Sequence, residues 1–138
     1  MTILDTNVVS EFMLHSPNPK VLAWIDRQPR SSLWTTAVTI FEIRLGLQIM
    51  PGSKRRDALN QRFDEVLTRM NEQIVPFDTE AAGHAASLMA SRKLQGRPRD
   101  LRDTMIAGIV LSRHATLATR NVSHFDDIRA PLVDPWTA

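Results

Sequence analysis

Short apolar stretches that end abruptly in polar residues recur along this chain, separated by longer stretches with helical spacing. Ile3-Leu4 runs straight into Asp5-Thr6-Asn7, which predicts a buried strand with polar residues at its C-terminal end. Val8 to Met13 predicts a short helix with Thr6 or Asn7 as its cap. Ser16-Pro17-Asn18-Pro19 breaks the chain. Val21, Leu22 and Ile25, with Trp24 beside them, have helical spacing that Gln28-Pro29 closes. Ser32 to Thr35 predicts a second strand, and Thr36 or Thr39 opens a helix through Ile40, Ile43, Leu45, Leu47 and Ile49 that Pro51-Gly52 stops. Arg55 to Met70 is amphipathic, carrying Leu59, Phe63, Val66, Leu67 and Met70.

Gln73 to Phe77 predicts a third strand, and Asp78-Thr79-Glu80 opens an Ala-rich helix to about Leu94. Gln95 to Arg99 is a loop. Asp100 to Asp103 opens a further helix through Ile106, Ile109, Val110 and Leu111. Ala115 to Thr119 predicts a fourth strand, Arg120 to Phe125 a loop, and Leu132-Val133 a short last strand. Short apolar strands alternating with helices make an α/β class chain, with a parallel sheet covered on both faces. No internal repeat, low-complexity tract or linker interrupts it, so residues 1–138 are expected to form one domain. In open sheets of this kind ligands bind beyond the strand C-termini, so the residues just after each strand are the ones to inspect.

Composition narrows the chemistry. With 43% apolar residues the chain can build a core, unlike a disordered one. The absence of cysteine excludes disulfide scaffolds, thiolate metal sites and cysteine nucleophiles. No apolar run reaches the roughly 18 residues of a membrane span. The opening Met1-Thr2-Ile3-Leu4-Asp5 lacks the basic leader of a signal peptide, and a cytoplasmic setting without membrane attachment is the expectation. The net charge of +2 says little, but 14 of the 17 basic residues are Arg. That bias suits phosphate and carboxylate partners, or reflects genomic composition alone.

Three acids stand out. Asp5 ends the first strand, Glu42 lies between Phe41 and Ile43, and Asp103 lies in the first turn of its helix. A carboxylate among apolar neighbours needs a cation or hydrogen-bond donors. A structural account is open for each: Glu42 paired with Arg44 or Arg102, and Asp5 and Asp103 as helix caps.

Four segments also resemble, in order and spacing, the blocks of PIN-domain ribonucleases. They are Leu4-Asp5-Thr6-Asn7, Thr36 to Gly46 with Glu42, Asp103 to Ala107, and Leu117 to Asn121. More narrowly they resemble the toxins of VapBC and FitAB-type toxin–antitoxin modules, and the resemblance spans nearly the whole chain. It implies a PIN-like α/β/α sandwich, with a parallel sheet of four to five strands between helices. It implies Asp5, Glu42 and Asp103 as catalytic ligands of Mg²⁺ or Mn²⁺. Asn121 stands where the family carries an acid or polar residue, and His124 where members often carry another Asp. Three carboxylates and a neutral fourth position follow. Asp100, one turn before Asp103, would assist, and Thr6, Asn7 and Thr119 would support the ligands or their waters.

The implied activity is endonucleolytic hydrolysis of RNA phosphodiester bonds, leaving a 5′-phosphate and a 3′-hydroxyl. The implied partners are an RNA substrate, a small cognate antitoxin and a second copy of the chain, with a larger toxin–antitoxin assembly beyond the homodimer. The helix from Arg55 to Met70 would contribute to the dimer and the antitoxin groove. Arg92, Lys93, Arg97, Arg99, Arg102 and Arg120 are the candidate phosphate contacts, the alternative being a solvated Arg-rich loop. Trp24, Trp34 and Trp136 could stack on bases, though packing is the expectation. His84 and His114 are expected in helices, and His124 near the site could touch a phosphate. The rival from another class is a PIN-like module that binds RNA or protein without catalysis. A receiver-like phosphoryl-transfer domain using Asp5 ranks below both, because no Gly-rich phosphate loop is present.

Overall fold

A computed structural model describes residues 1–138. Five strands form one parallel sheet: β1 (Thr2–Leu4), β2 (Leu33–Thr36), β3 (Ile74–Val75), β4 (Thr116–Ala118) and β5 (Leu132–Val133). Their order is β3-β2-β1-β4-β5, with Ile3 opposite both Trp34 and Leu117. The six helices are α1 (Thr6–Phe12), α2 (Pro19–Asp26), α3 (Ala37–Ile49), α4 (Lys54–Arg69), α5 (Thr79–Leu94) and α6 (Leu101–Ser112). The chain winds from β1 outward to β3, then crosses back to β4 on the other side of β1. Between β1 and β4 the winding reverses, which opens a crevice beyond their C-terminal ends.

Side-chain alternation along the strands splits the interior in two. Ile3, Leu117 and Trp34 face one cluster with Ile106, Ile109 and Val110 of α6 and Ala81 of α5. Leu4, Ala118 and Leu33 face the other, with Val8 and Val9 of α1, Trp24 of α2 and Phe63 of α4. Because both faces are covered, the strands need no polar face, which is why they read as short continuous apolar runs.

α5 and α6 approach closely. Gly108 lets the α6 backbone lie against Ala81 and Ala85, where an added Cβ would come within 2.5 Å of the Ala81 carbonyl oxygen. Membrane-crossing length is absent too: no helix is long and apolar enough to span a bilayer.

Several local expectations change. α1 is capped by Asp5, whose Oδ1 accepts from the Thr6 amide at 2.8 Å, which is the capping role left open for Asp5 and displaces Thr6 and Asn7 as caps. α6 is capped by Asp100 and not by Asp103. His114 lies beyond the end of α6 in the left-handed region, at φ 51°, rather than inside a helix. The third strand is shorter than Gln73 to Phe77 and spans only Ile74–Val75.

Candidate active site

Parallel strands put all five C-terminal ends on one side, and there a polar cleft of about 450 Å³ opens. It is lined by Asp5, Glu42 and Asp103, brought together from β1, α3 and α6. Asn7 and Asn121 also line it, as does Glu11, a fourth acid.

Asp5 is the most enclosed of the acids, at 3% exposure. Its Oδ2 accepts from the Thr119 hydroxyl at 2.7 Å and from Asn7 Nδ2 at 3.3 Å. Thr119 follows β4 directly, so the β1–β4 pairing sets this contact. Glu42 is half-buried, and its Oε1 accepts from the Thr6 hydroxyl at 3.2 Å. Thr6 is also 3.1 Å from the Thr39 hydroxyl, which links α1 to α3. Asp103 Oδ2 lies 3.2 Å from His124 Nδ1.

All three acids are pushed above the usual carboxylate range, and burial is the largest cause for each. Mutual repulsion adds to it, since Asp103 raises Asp5 and Asp100 raises Asp103. For Glu42 the Arg102 guanidinium opposes the rise, followed by the Thr6 hydrogen bond. The fold therefore concentrates negative charge without an ion-pair partner for Asp5 or Glu42. Such an all-oxygen set suits a hard divalent cation. The acids line one cleft but do not form a closed cage, since no three are already drawn into a ready-made site.

The remaining expected site residues separate. Asp100 is tied to its own helix start, its Oδ1 accepting from the amides of Arg102 at 2.9 Å and Asp103 at 3.2 Å. Its charge reaches Asp103 while its carboxylate serves as a cap. Arg44 pairs with Asp64 at 3.2 Å and not with Glu42. Arg92 is no surface cation. It is 2% exposed, forked onto Asp127 with both bonds at 2.8 Å, and it donates to the Thr104 hydroxyl at 2.9 Å and the His124 carbonyl at 3.3 Å. That Arg92 fork holds Asp127 below the usual carboxylate range.

Arg99 donates to the Ser123 carbonyl at 2.6 Å and to Asp126 at 3.3 Å. Arg97 is exposed but, like Arg99 and Arg102, does not line the cleft. Among the basic candidates only Arg120 does, with its amide donating to Asn7 Oδ1 at 3.1 Å. Trp24 is buried in the cluster with Leu4 and Val8, and Trp34 packs against the other cluster, with Ile3 and Ile106. Trp136 alone of the three tryptophans reaches the cleft.

Sequence reasoning missed Ser10, Glu11 and Leu14 as cleft residues. They follow Asn7 by three, four and seven positions, so helical spacing could have found them. A second concavity of about 320 Å³ lies between α1, α2 and α4, lined by Phe12, Leu22, Ile25, Val66 and Met70, with Arg62 among its charged residues.

Residues 2–130 match the family model of the PIN domain. The chain is 38% identical over 137 residues to VapC ribonuclease Y4jK of Sinorhizobium fredii, covering 99% of this chain and 98% of the relative. It is 31% identical over 137 residues to Toxin FitB of Neisseria gonorrhoeae, covering 99% of each. The crystal structure of FitAcB from Neisseria gonorrhoeae superposes with a TM-score of 0.89 at 30% identity, covering 100% of both chains.

Proposed function

The chain belongs to the PIN-domain family, and on that premise we propose that it is an endoribonuclease toxin held in check by a cognate antitoxin. The observation that carries the activity is the convergence of Asp5, Glu42 and Asp103 in one cleft, each above its usual carboxylate range. Asp5, Glu42 and Asp103 would hold Mg²⁺ or Mn²⁺, and their all-oxygen chemistry, with no ion-pair partner for Asp5 or Glu42, fits such an ion. When bound, the cation supplies positive charge at the scissile phosphate and makes water a stronger nucleophile at neutral pH.

The chain's own residues do the rest. Thr119 and Asn7 fix Asp5, Thr6 fixes Glu42, and His124 fixes Asp103. Preorganised carboxylates lose little orientational freedom when substrate arrives. Asn121 offers a neutral amide at the cleft wall, where it can donate to a phosphate oxygen without adding charge. Attack in line with the leaving 3′-oxygen yields a 5′-phosphate and a 3′-hydroxyl.

The antitoxin segment takes the apolar groove between α1, α2 and α4. Its apolar lining beside Arg62 and Glu65 supports an amphipathic chain there. A second copy of the chain covers Phe41, Leu45 and Ile49. These lie four residues apart on one face of α3 and are exposed by 57%, 40% and 75%. The activity is tested by incubating partner-free protein with total RNA and mapping the ends of the fragments. Discrete fragments with 5′-phosphates are expected. Cyclic phosphate or 5′-hydroxyl ends would overturn the hydrolytic mechanism.

A further inference from the structure

The C-terminal segment brings an aromatic side chain to a cleft otherwise built from polar groups. β5 runs parallel to β4, so the residues after each strand emerge at the same end. Arg120 follows β4, and Trp136 follows β5 in a turn where its amide donates to Asp134 Oδ1 at 2.8 Å. Both residues line the carboxylate cleft. The Arg120 guanidinium carbon lies over the indole, 5.0 Å from the ring centroid. Trp136 is only partly exposed and packs against the cluster that holds Leu4 and Ala118, so the ring is supported from beneath. Arg120 itself is exposed.

Arg120 differs from the other cations near the site. It is the one cation that lines the cleft and it makes no ion pair, whereas Arg99 is engaged with Asp126 and Arg92 with Asp127. Its backbone amide is anchored to Asn7, the residue that also touches Asp5. An exposed guanidinium laid on a tryptophan beside a phosphodiester-cleaving centre offers a flat cationic surface, and bases of single-stranded RNA stack on such surfaces.

We propose that Trp136 and Arg120 form a stacking platform that seats a nucleobase flanking the scissile phosphate, with the base on the outer side of the guanidinium. This rests on the ribonuclease reading above. The platform supplies binding and register while the carboxylates supply chemistry. It reads a flat ring rather than a hydrogen-bonding edge, so it favours unpaired RNA and tolerates different bases. A phosphate contact by Arg120 would depend on charge alone. A stacking contact depends on the plane, and lysine keeps the charge while losing the plane.

The experiment measures steady-state cleavage of a short single-stranded RNA, containing the mapped cleavage point, by wild type, Arg120→Lys, Trp136→Leu and Trp136→Phe. Alongside it, binding of the same RNA to the Asp103→Asn background is followed by tryptophan fluorescence. Unfolding temperatures are recorded for every variant. Arg120→Lys and Trp136→Leu are expected to raise KM on the order of 10- to 100-fold with kcat changed little. Trp136→Phe is expected to stay near wild type, and RNA is expected to quench the fluorescence of the Asp103→Asn protein.

A wild-type KM for Arg120→Lys would show a charge contact and overturn the platform. So would loss of kcat in Trp136→Leu in step with a fallen unfolding temperature, which marks a structural role. A wild-type protein that neither cleaves nor binds RNA would overturn the ribonuclease reading itself, and the platform with it. Normal cleavage with indifferent platform variants would overturn the platform alone.

Discussion

Replacing Gly108 by alanine sets helix propensity against packing, and the geometry says which wins. Alanine is favoured over glycine inside a helix by about 1 kcal/mol. At Gly108 the new Cβ would stand 2.5 Å from the Ala81 carbonyl oxygen, 2.8 Å from Ala85 Cβ and 3.0 Å from the Ala85 amide nitrogen. All three atoms belong to α5 backbone or to a side chain with no rotamers, so none can swing aside. The closest is 0.9 Å inside the 3.4 Å at which ordinary van der Waals contact begins, so the helices must separate.

Overpacking of this kind costs about 1–3 kcal/mol, and the rigid neighbours put Gly108→Ala at the top of that range. The net is a destabilisation of about 2 kcal/mol, or a fall of about 6 °C in unfolding temperature for a chain of this size. Gly83, on the exposed side of α5, has no atom within 4 Å of an added Cβ. Gly83→Ala therefore keeps the propensity gain and stabilises by about 0.5–1 kcal/mol. Thermal and urea unfolding of the two variants, followed by far-UV circular dichroism, measures the difference in sign. A Gly108→Ala protein as stable as wild type, or a Gly83→Ala protein that falls with it, would refute the close-approach argument. α6 also carries Asp103, so the displaced helix is expected to lower cleavage even where the variant remains folded.

Further outcomes follow from the site and its supports. Arg92→Met should destabilise by about 2 kcal/mol, because it removes the charged donors to Asp127 and the His124 carbonyl, while the Thr104 hydroxyl keeps its bond to the Asp100 carbonyl; Arg92→Met/Asp127→Leu should recover part of that loss in urea titrations. Asp5, with its raised pKa, destabilises the metal-free fold once ionised, so its penalty grows as pH rises through the folded value and vanishes as pH falls toward the ordinary carboxylate value. Asp5→Asn should therefore unfold at a higher temperature than wild type at neutral pH without metal, with the gap closing on acidification; a constant gap would contradict it. Asp127, held low by Arg92, acts in the opposite sense and contributes stability that is lost as pH falls through its depressed value. Mn²⁺ should raise the unfolding temperature of wild type and leave that of Asp5→Asn unchanged, and calorimetric titration would expose any residual binding.

The layered fold was legible because both sheet faces are buried, which leaves short apolar strands that stand out between helices. The position of Asp5 followed from the strand that ends at Leu4, and β1 lies at the centre of the sheet where the winding reverses. The caps were less legible. Asp5 and Thr6 are both good capping types, and backbone geometry alone made Asp5 the cap.

Arg92 was misplaced because α5 carries few large apolar residues to mark its inner face. Its burial was nonetheless readable, since Ala81, Ala85, Leu88 and Arg92 follow one another at helical spacing along one side. Its partner Asp127, 35 positions away, was not readable, because nothing local couples the two. Trp136 shows a similar division. Sheet direction determines the end at which it emerges, and only the packed structure sets it against Arg120.

RNA cleavage by the one cleft of carboxylates is the property on which the rest depends. It is tested most directly by purified, partner-free protein incubated with total RNA at low salt in Mg²⁺, in Mn²⁺ and in EDTA, with Asp5→Asn run beside the wild type. Discrete fragments are expected with either metal, none in EDTA and none from Asp5→Asn even though that protein is folded. Intact RNA under every condition, with RNA still bound, would contradict it and identify a binding module whose acids serve the fold.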